Sequence, residues 1–251
     1  TGGWYFDTII RQEPIEEEQL DVEDNLEEFG PISDADLAYL AEQAERLYRE
    51  TDRALMLKVS GTGFGDIAAV PAPSLPHPRG IRDVAEWYMS TVTRRDYVYR
   101  LFERQCEIAL DNLARVHGAV GDRPTAIYLT GTDFGMQTGP FIAPRVYREL
   151  YQPFHRRLND WIHRHTTWKT FIHSCGSVVE LIDDFIEAGF DILNPLQTAA
   201  AGMEPRELKR RFGERIAFWG GGIDTQHTLP FGTPGDVRRQ VRQRIAARSE
   251  E

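Results

Sequence analysis

Two spacings of apolar residues take turns along this chain. From Ser33 onward, Leu37, Leu40, Ala44 and Leu47 recur every three or four positions, which predicts a helix with Ser33 as its N-cap. The apolar run at 53–59 predicts a strand, closed by the turn-rich Ser60-Gly61-Thr62-Gly63. Beyond Pro71, Pro73, Pro76 and Pro78, helices are expected at about 81–90 and 94–118, and a second strand at 125–130 follows Pro124. The cycle then repeats, with a helix near 144–165, a strand at 168–173, a helix near 177–188 and a strand at 190–193. A helix near 205–212, a strand at 215–219 and a last helix at about 234–247 complete it.

Strands that alternate with helices imply parallel pairing through right-handed crossovers. Short apolar strands of this kind suit a sheet covered on both faces. Five strands are counted against the eight of a closed (β/α) barrel, so an open doubly wound sheet stays as the alternative. In a barrel, function gathers at the C-terminal ends of the strands. Those positions carry Gly131-Thr132-Asp133 after the second strand, His173 and Cys175 after the third, Asn194-Pro195-Leu196-Gln197 after the fourth, and Gly220-Gly221-Gly222-Ile223-Asp224 after the fifth.

Composition narrows the partners. The chain has 251 residues, 41% hydrophobic and 27% charged, with ample apolar material for a core. A net charge of −10 argues against nucleic-acid binding, which needs clustered Lys and Arg. No apolar run approaches the roughly 18 residues of a membrane span, and no signal pattern opens the chain. The expectation is a soluble, cytoplasmic protein acting on small molecules. Residues 1–32, which include Glu16-Glu17-Glu18 and Asp21-Val22-Glu23-Asp24, are expected to form a solvated acidic connecting segment, with the barrel domain over 33–251. Without an initiator Met, and ending just after a helical pattern, the sequence reads as truncated at both ends.

The two cysteines are too few for a disulfide framework. Cys106 sits in a helical pattern as a small core residue. Cys175 is different, because His173 stands two residues before it at a strand end, where positions i and i+2 share a face. Imidazole and thiolate are ligands that zinc prefers, and a catalytic zinc needs about three protein ligands plus an open position. Asp133 and Asp224 are candidates to orient the imidazole or to act as general acid or base.

The segments His173-Ser174-Cys175-Gly176-Ser177-Val178, Gly189 to Gln197 and Phe218 to Gln226, together with Gly131 to Pro144, resemble the uroporphyrinogen decarboxylase superfamily. Within it they look closest to the branch of corrinoid-dependent methyltransferases. The resemblance implies a (β/α)8 TIM barrel, incomplete in this chain. It also implies a zinc held by His173, Cys175 and a third ligand beyond Glu251, and methylcobalamin on a partner corrinoid protein as methyl donor. The zinc would activate a small thiol. Gln137, Asn194, Gln197, Gly221 and Gly222 are expected to bind substrate, and Asp133 and Asp224 to be catalytic. The alternative is the superfamily's cofactor-free decarboxylation of a tetrapyrrole, although the N-terminal arginine motif of that branch is absent. A noncatalytic barrel or binding protein is the third reading.

Several features carry a plainer reading. Gly220-Gly221-Gly222 lacks a P-loop lysine and is read as a tight turn. His155, His163 and His165 are read as surface or helix-end residues, and Arg206, Lys209, Arg210 and Arg211 as a solvated helix face.

Overall fold

The computed structural model describes residues 12 and 14–249, so the first eleven residues of the expected acidic segment lie outside it, as do 13, 250 and 251. Five parallel strands, β1 (Met56–Lys58), β2 (Ala126–Thr130), β3 (Lys169–His173), β4 (Ile192–Asn194) and β5 (Ala217–Phe218), lie side by side in chain order. The helices between and around them are α1 (Asp34–Glu50), α2 (Val84–Thr93), α3 (Arg95–Val120), α4 (Gln152–His165), α5 (Ile182–Glu187), α6 (Pro205–Phe212), α7 (Thr228–Phe231) and α8 (Pro234–Ser249). A doubly wound sheet reverses its strand order at a switch point. This one winds in a single direction, so the fold is an incomplete (β/α)8 barrel, and the doubly wound alternative falls.

The two faces of the sheet differ. Leu57, Ile127, Leu129, Ile172 and Leu193 point one way into a core shared with the helices. Lys58, Tyr128, Phe171, Ile192 and Ala217 form one register row on the opposite, inner face. Met56, Lys58 and Trp219 are exposed there. Phe171 is buried in the middle of that same face, so the expectation of two covered faces holds for the central strands and fails at the edge strands β1 and β5.

Ser33 and Asp83 cap α1 and α2 by accepting from the Asp36 and Glu86 amides at 3.0 and 2.9 Å. In α3, Val98, Leu101, Phe102, Ala109, Leu113, Val116 and Val120 recur at helical spacing and are buried, and Cys106 joins them as a core residue. The helix expected at 177–188 forms only over Ile182–Glu187. Ser177 instead donates from its hydroxyl to the Ala201 carbonyl at 2.6 Å, which gives this stretch a non-helical partner. A π-helical turn, Tyr147–Tyr151, interrupts the helix expected at 144–165. Among the described residues no helix is long and apolar enough to cross a membrane.

The acidic segment is not a solvated connection where it is described. Asn25 and Leu26 are buried, and Asn25 exchanges hydrogen bonds of 2.8 Å with the Ile81 backbone. Arg82, buried beneath, reaches Glu28 at 2.8 and 3.2 Å and donates to the Asp24 carbonyl at 2.6 Å. The acidic residues counter a buried guanidinium, a partnership that a charge run alone does not reveal.

His155 is also corrected, from surface to core. It is fully buried, with Nδ1 3.0 Å from the Tyr147 hydroxyl and the rings of Phe64, Phe134 and Phe190 packed around it. Burial pulls its pKa down to about 3. The unfolded chain, with a His pKa of about 6.5, therefore binds the extra proton first. This residue's contribution is intact above that value and is lost as pH falls toward the folded pKa, by about 1.4 kcal/mol per pH unit. Urea midpoints measured from pH 7 to pH 4 should fall less steeply for His155→Gln than for the parent; parallel slopes would refute the assignment.

Candidate metal centre

His173 closes β3 beside its register partner Asn194 on β4. The Asn194 Nδ2 donates to the Trp219 carbonyl at 3.1 Å, just past β5, so its Oδ1 faces His173 Nδ1 at 2.7 Å. That oxygen can only accept, which places the imidazole proton on Nδ1 and leaves the Nε2 lone pair free. A metal-ligating histidine is oriented in this way. The group that orients His173 is Asn194, where Asp133 or Asp224 was expected.

The free Nε2 lies 3.4 Å from Cys175 Sγ and 3.8 Å from Asp133 Oδ1. One ligand atom from each of the three residues falls within 4.8 Å of the others. Bonds of about 2.0–2.3 Å in a tetrahedral zinc site put neighbouring ligand atoms roughly 3.3–3.7 Å apart, so the spacing suits that metal. Asp133 thus offers a third donor within the chain, alongside the one expected beyond Glu251. Its Oδ1 already accepts the Cys175 amide at 2.6 Å, and a carboxylate has about four lone-pair sites, so accepting that bond leaves capacity for a cation.

Charge separates two uses of these groups. Cys175, His173 and Asn194 in line would also describe a cysteine nucleophile with its base and orienting amide. Burial, then the charge of Asp133 and its hydrogen bond with the thiol, push Cys175 up to about 12. A nucleophilic cysteine needs the opposite shift. Here an imidazole lone pair, a carboxylate and a sulfur converge on a single thiol proton, an arrangement that a cation satisfies.

The loops that carry these groups are locked backbone to backbone. Gly176, at φ +81°, has no room for a Cβ, which would stand 2.3 Å from the Gly135 carbonyl. The Ser177 amide donates to the Met136 carbonyl at 2.7 Å, the Phe134 amide to Ser174 Oγ at 2.9 Å, and the Gly176 amide to Gln197 Oε1 at 2.9 Å. Tyr88 donates from its hydroxyl to the Asp133 carbonyl at 2.8 Å.

The other expected site residues divide. Asn194 and Gln197 reach the centre, as braces of His173 and Gly176. Gln137 is exposed, and its carbonyl accepts from the Ala201 amide at 2.9 Å. At Gly221 a Cβ would meet Leu196 at 2.6 Å, a close backbone approach, whereas Gly222 faces open space. Asp224 stands apart from the cluster, in the turn that precedes α7. Burial pushes its carboxyl up, but the amides of Gln226 and His227 and the His227 ring hold it below the usual range.

Three residues escaped the sequence reading. Asp66 follows β1, where burial pushes its carboxyl up, the Ala68 amide opposes this and the Asp133 charge adds to it. Lys58 Nζ lies 5.3 Å from the centroid of the Tyr128 ring, which stacks in turn on Phe171 and His173 at 5.4 and 6.3 Å. The rule that points to strand ends, applied to the first strand, finds Asp66, and period-two alternation puts Lys58 on the inner face.

The family model for uroporphyrinogen decarboxylase (URO-D) matches residues 9–251. Comparison with curated protein sequences gives no match. Among solved structures, a methyltransferase from Methanosarcina mazei is similar in fold, with a TM-score of 0.56 at 13% identity over 83% of this chain and 55% of that one. The chain thus spans about half the length of that structure. With the whole barrel segment inside the match, this chain belongs to the uroporphyrinogen decarboxylase family.

Proposed function

We propose that the protein is a zinc-dependent methyltransferase in which His173, Cys175 and Asp133 hold the metal and a small thiol is the methyl acceptor. The observation that carries this reading is the convergence of Nε2, Sγ and Oδ1 with the imidazole proton turned away by Asn194. Bound there, zinc would supply the positive charge that keeps a thiol deprotonated near neutral pH.

This chain's residues supply the rest. Asn194, fixed by the Trp219 carbonyl, keeps the His173 lone pair aimed inward. The Gly176–Gly135 contact keeps Cys175 against Asp133. Tyr128, Phe171 and Trp219 form an aromatic row on the inner face, with Phe171 and Trp219 ring centroids 5.6 Å apart. Methylcobalamin carried by a corrinoid partner is the methyl donor in this reading.

The family's decarboxylase chemistry is the second reading, and the thiol argues against it. Removing carbon dioxide from a pyrrole acid has no use for a sulfur held beside an imidazole lone pair.

Metal analysis of the full-length protein should give about one zinc per chain. Cys175→Ser and Asp133→Ala should each weaken zinc by more than the about 10–100-fold expected of a supporting group. Undiminished zinc in Cys175→Ser would sink the reading, and undiminished zinc in Asp133→Ala would remove Asp133 from the ligand set. Asn194→Leu should leave the fold intact by circular dichroism and weaken zinc about 10–100-fold; unchanged affinity would mean that the His173 tautomer does not matter. Thiol methylation from methylcobalamin, assayed beside uroporphyrinogen decarboxylation, decides between the two chemistries.

A further inference from the structure

Next to the metal centre lies a cavity of about 190 Å³, lined by Lys58, Asp66, Tyr128, Gly63 and Gly131 among others. It is smaller than the roughly 300–1,000 Å³ that accommodates a drug-sized ligand. That suits the head group of a small molecule better than a tetrapyrrole.

The cavity contains one cation and one carboxyl that do not pair with each other. Among the described residues Lys58 makes no ion pair within 4.0 Å, although its charge is felt at Asp66. Asp66 cannot swing across to it. Its Oδ1 accepts from the Ala68 amide at 3.0 Å, and its carbonyl accepts from the Ala69 and Val70 amides at 2.8 Å, so the residue is fixed in a turn. Lys58 is fixed at its root by the pairing of β1 with β2.

Glycine at 131 lets the Tyr128 hydroxyl and the Asp66 carboxylate pack close against the backbone. A Cβ on Gly131 would stand 2.6 Å from the Tyr128 hydroxyl and 2.9 Å from Asp66 Oδ2. A side chain at 131 would collide with both atoms, so glycine keeps the Tyr128 hydroxyl and Asp66 Oδ2 side by side at the edge of the cavity. The wall opposite is the Tyr128 ring, whose further neighbour is His173, so whatever sits in the cavity is next to the metal centre.

We infer that this cavity recognises the zwitterionic head of an α-amino-acid thiol, with its carboxylate on Lys58 and its ammonium on Asp66 and the Tyr128 hydroxyl. A purely anionic tail would satisfy Lys58 and be repelled by an ionised Asp66, and a purely cationic one would do the reverse. A ligand that carries both charges satisfies both groups. The thiol end of such a ligand then lies toward His173 and Cys175, and to that extent the inference rests on the metal reading above.

The test is titration calorimetry on the zinc-loaded full-length protein with homocysteine, 4-mercaptobutyrate and 3-mercaptopropylamine, plus 2-aminobutyrate as a probe without a thiol. Homocysteine should bind at least about tenfold tighter than either singly charged thiol, a difference of about 1.4 kcal/mol. Asp66→Asn should remove its advantage over 4-mercaptobutyrate, and Lys58→Met its advantage over 3-mercaptopropylamine. Equal binding of the three thiols would overturn the inference and leave the metal reading standing, as would variants that weaken all three alike. If the protein holds no zinc, 2-aminobutyrate binding that Asp66→Asn abolishes would support the head-group site while the metal reading fails. Absence of that binding would overturn the site as well.

Discussion

The contact between Gly135 and Gly176 is the constraint on which the centre depends. The loops after β2 and β3 meet with no side chain between them, and the Ser177 amide ties the second loop to the Met136 carbonyl of the first. Because the backbones touch, the Cys175 amide falls onto the Asp133 carboxylate at 2.6 Å. A Cβ at Gly176 would push the loops apart, and a side chain at φ +81° would add strain of its own. The carboxylate and the thiol belong to different strands, and only this contact makes them neighbours. Burial is the main reason that the Cys175 pKa is raised, and the carboxylate that this contact sets beside the thiol adds to it by opposing a second negative charge.

Winding supplies the other half. His173 on β3, Asn194 on β4 and the Trp219 carbonyl after β5 form a hydrogen-bonded relay across three adjacent strands. Were the strand order reversed at a switch point, as in a doubly wound sheet, these three would not lie side by side. The barrel's single direction of winding thus reaches the imidazole as the position of one proton. A fold-level property becomes a property of a lone pair.

Much of this could be read in the sequence, and the failures share a cause. His173, Cys175 and Asp133 were visible because local spacing and strand-end position are encoded along the chain. The role of Asn194 was misplaced, because it depends on a register between strands that no local pattern records. His155 looked like a surface residue, since one polar group among many on a helix does not reveal the ring of aromatics that other elements bring to it. The acidic segment looked solvated because its counter-charge, Arg82, lies more than fifty residues away in the chain. In each case the missing information was the identity of a distant partner. The position of the residue in its own element was read correctly more often.

The Tyr128 ring joins the two regions into one site. The ring meets Lys58 and His173, and its hydroxyl packs with Asp66 Oδ2 against Gly131. The two carboxylates near that ring are held by backbone amides, Asp66 in its turn and Asp133 by the Cys175 amide, and Lys58 is anchored at its Cα by strand pairing. Charges that do not pair with each other remain available to a ligand, and for the two carboxylates the cost of arranging them has been met in folding and not in binding. With Asp66 held in its turn and Lys58 over the Tyr128 ring, the two residues leave opposite charges for one ligand to bridge.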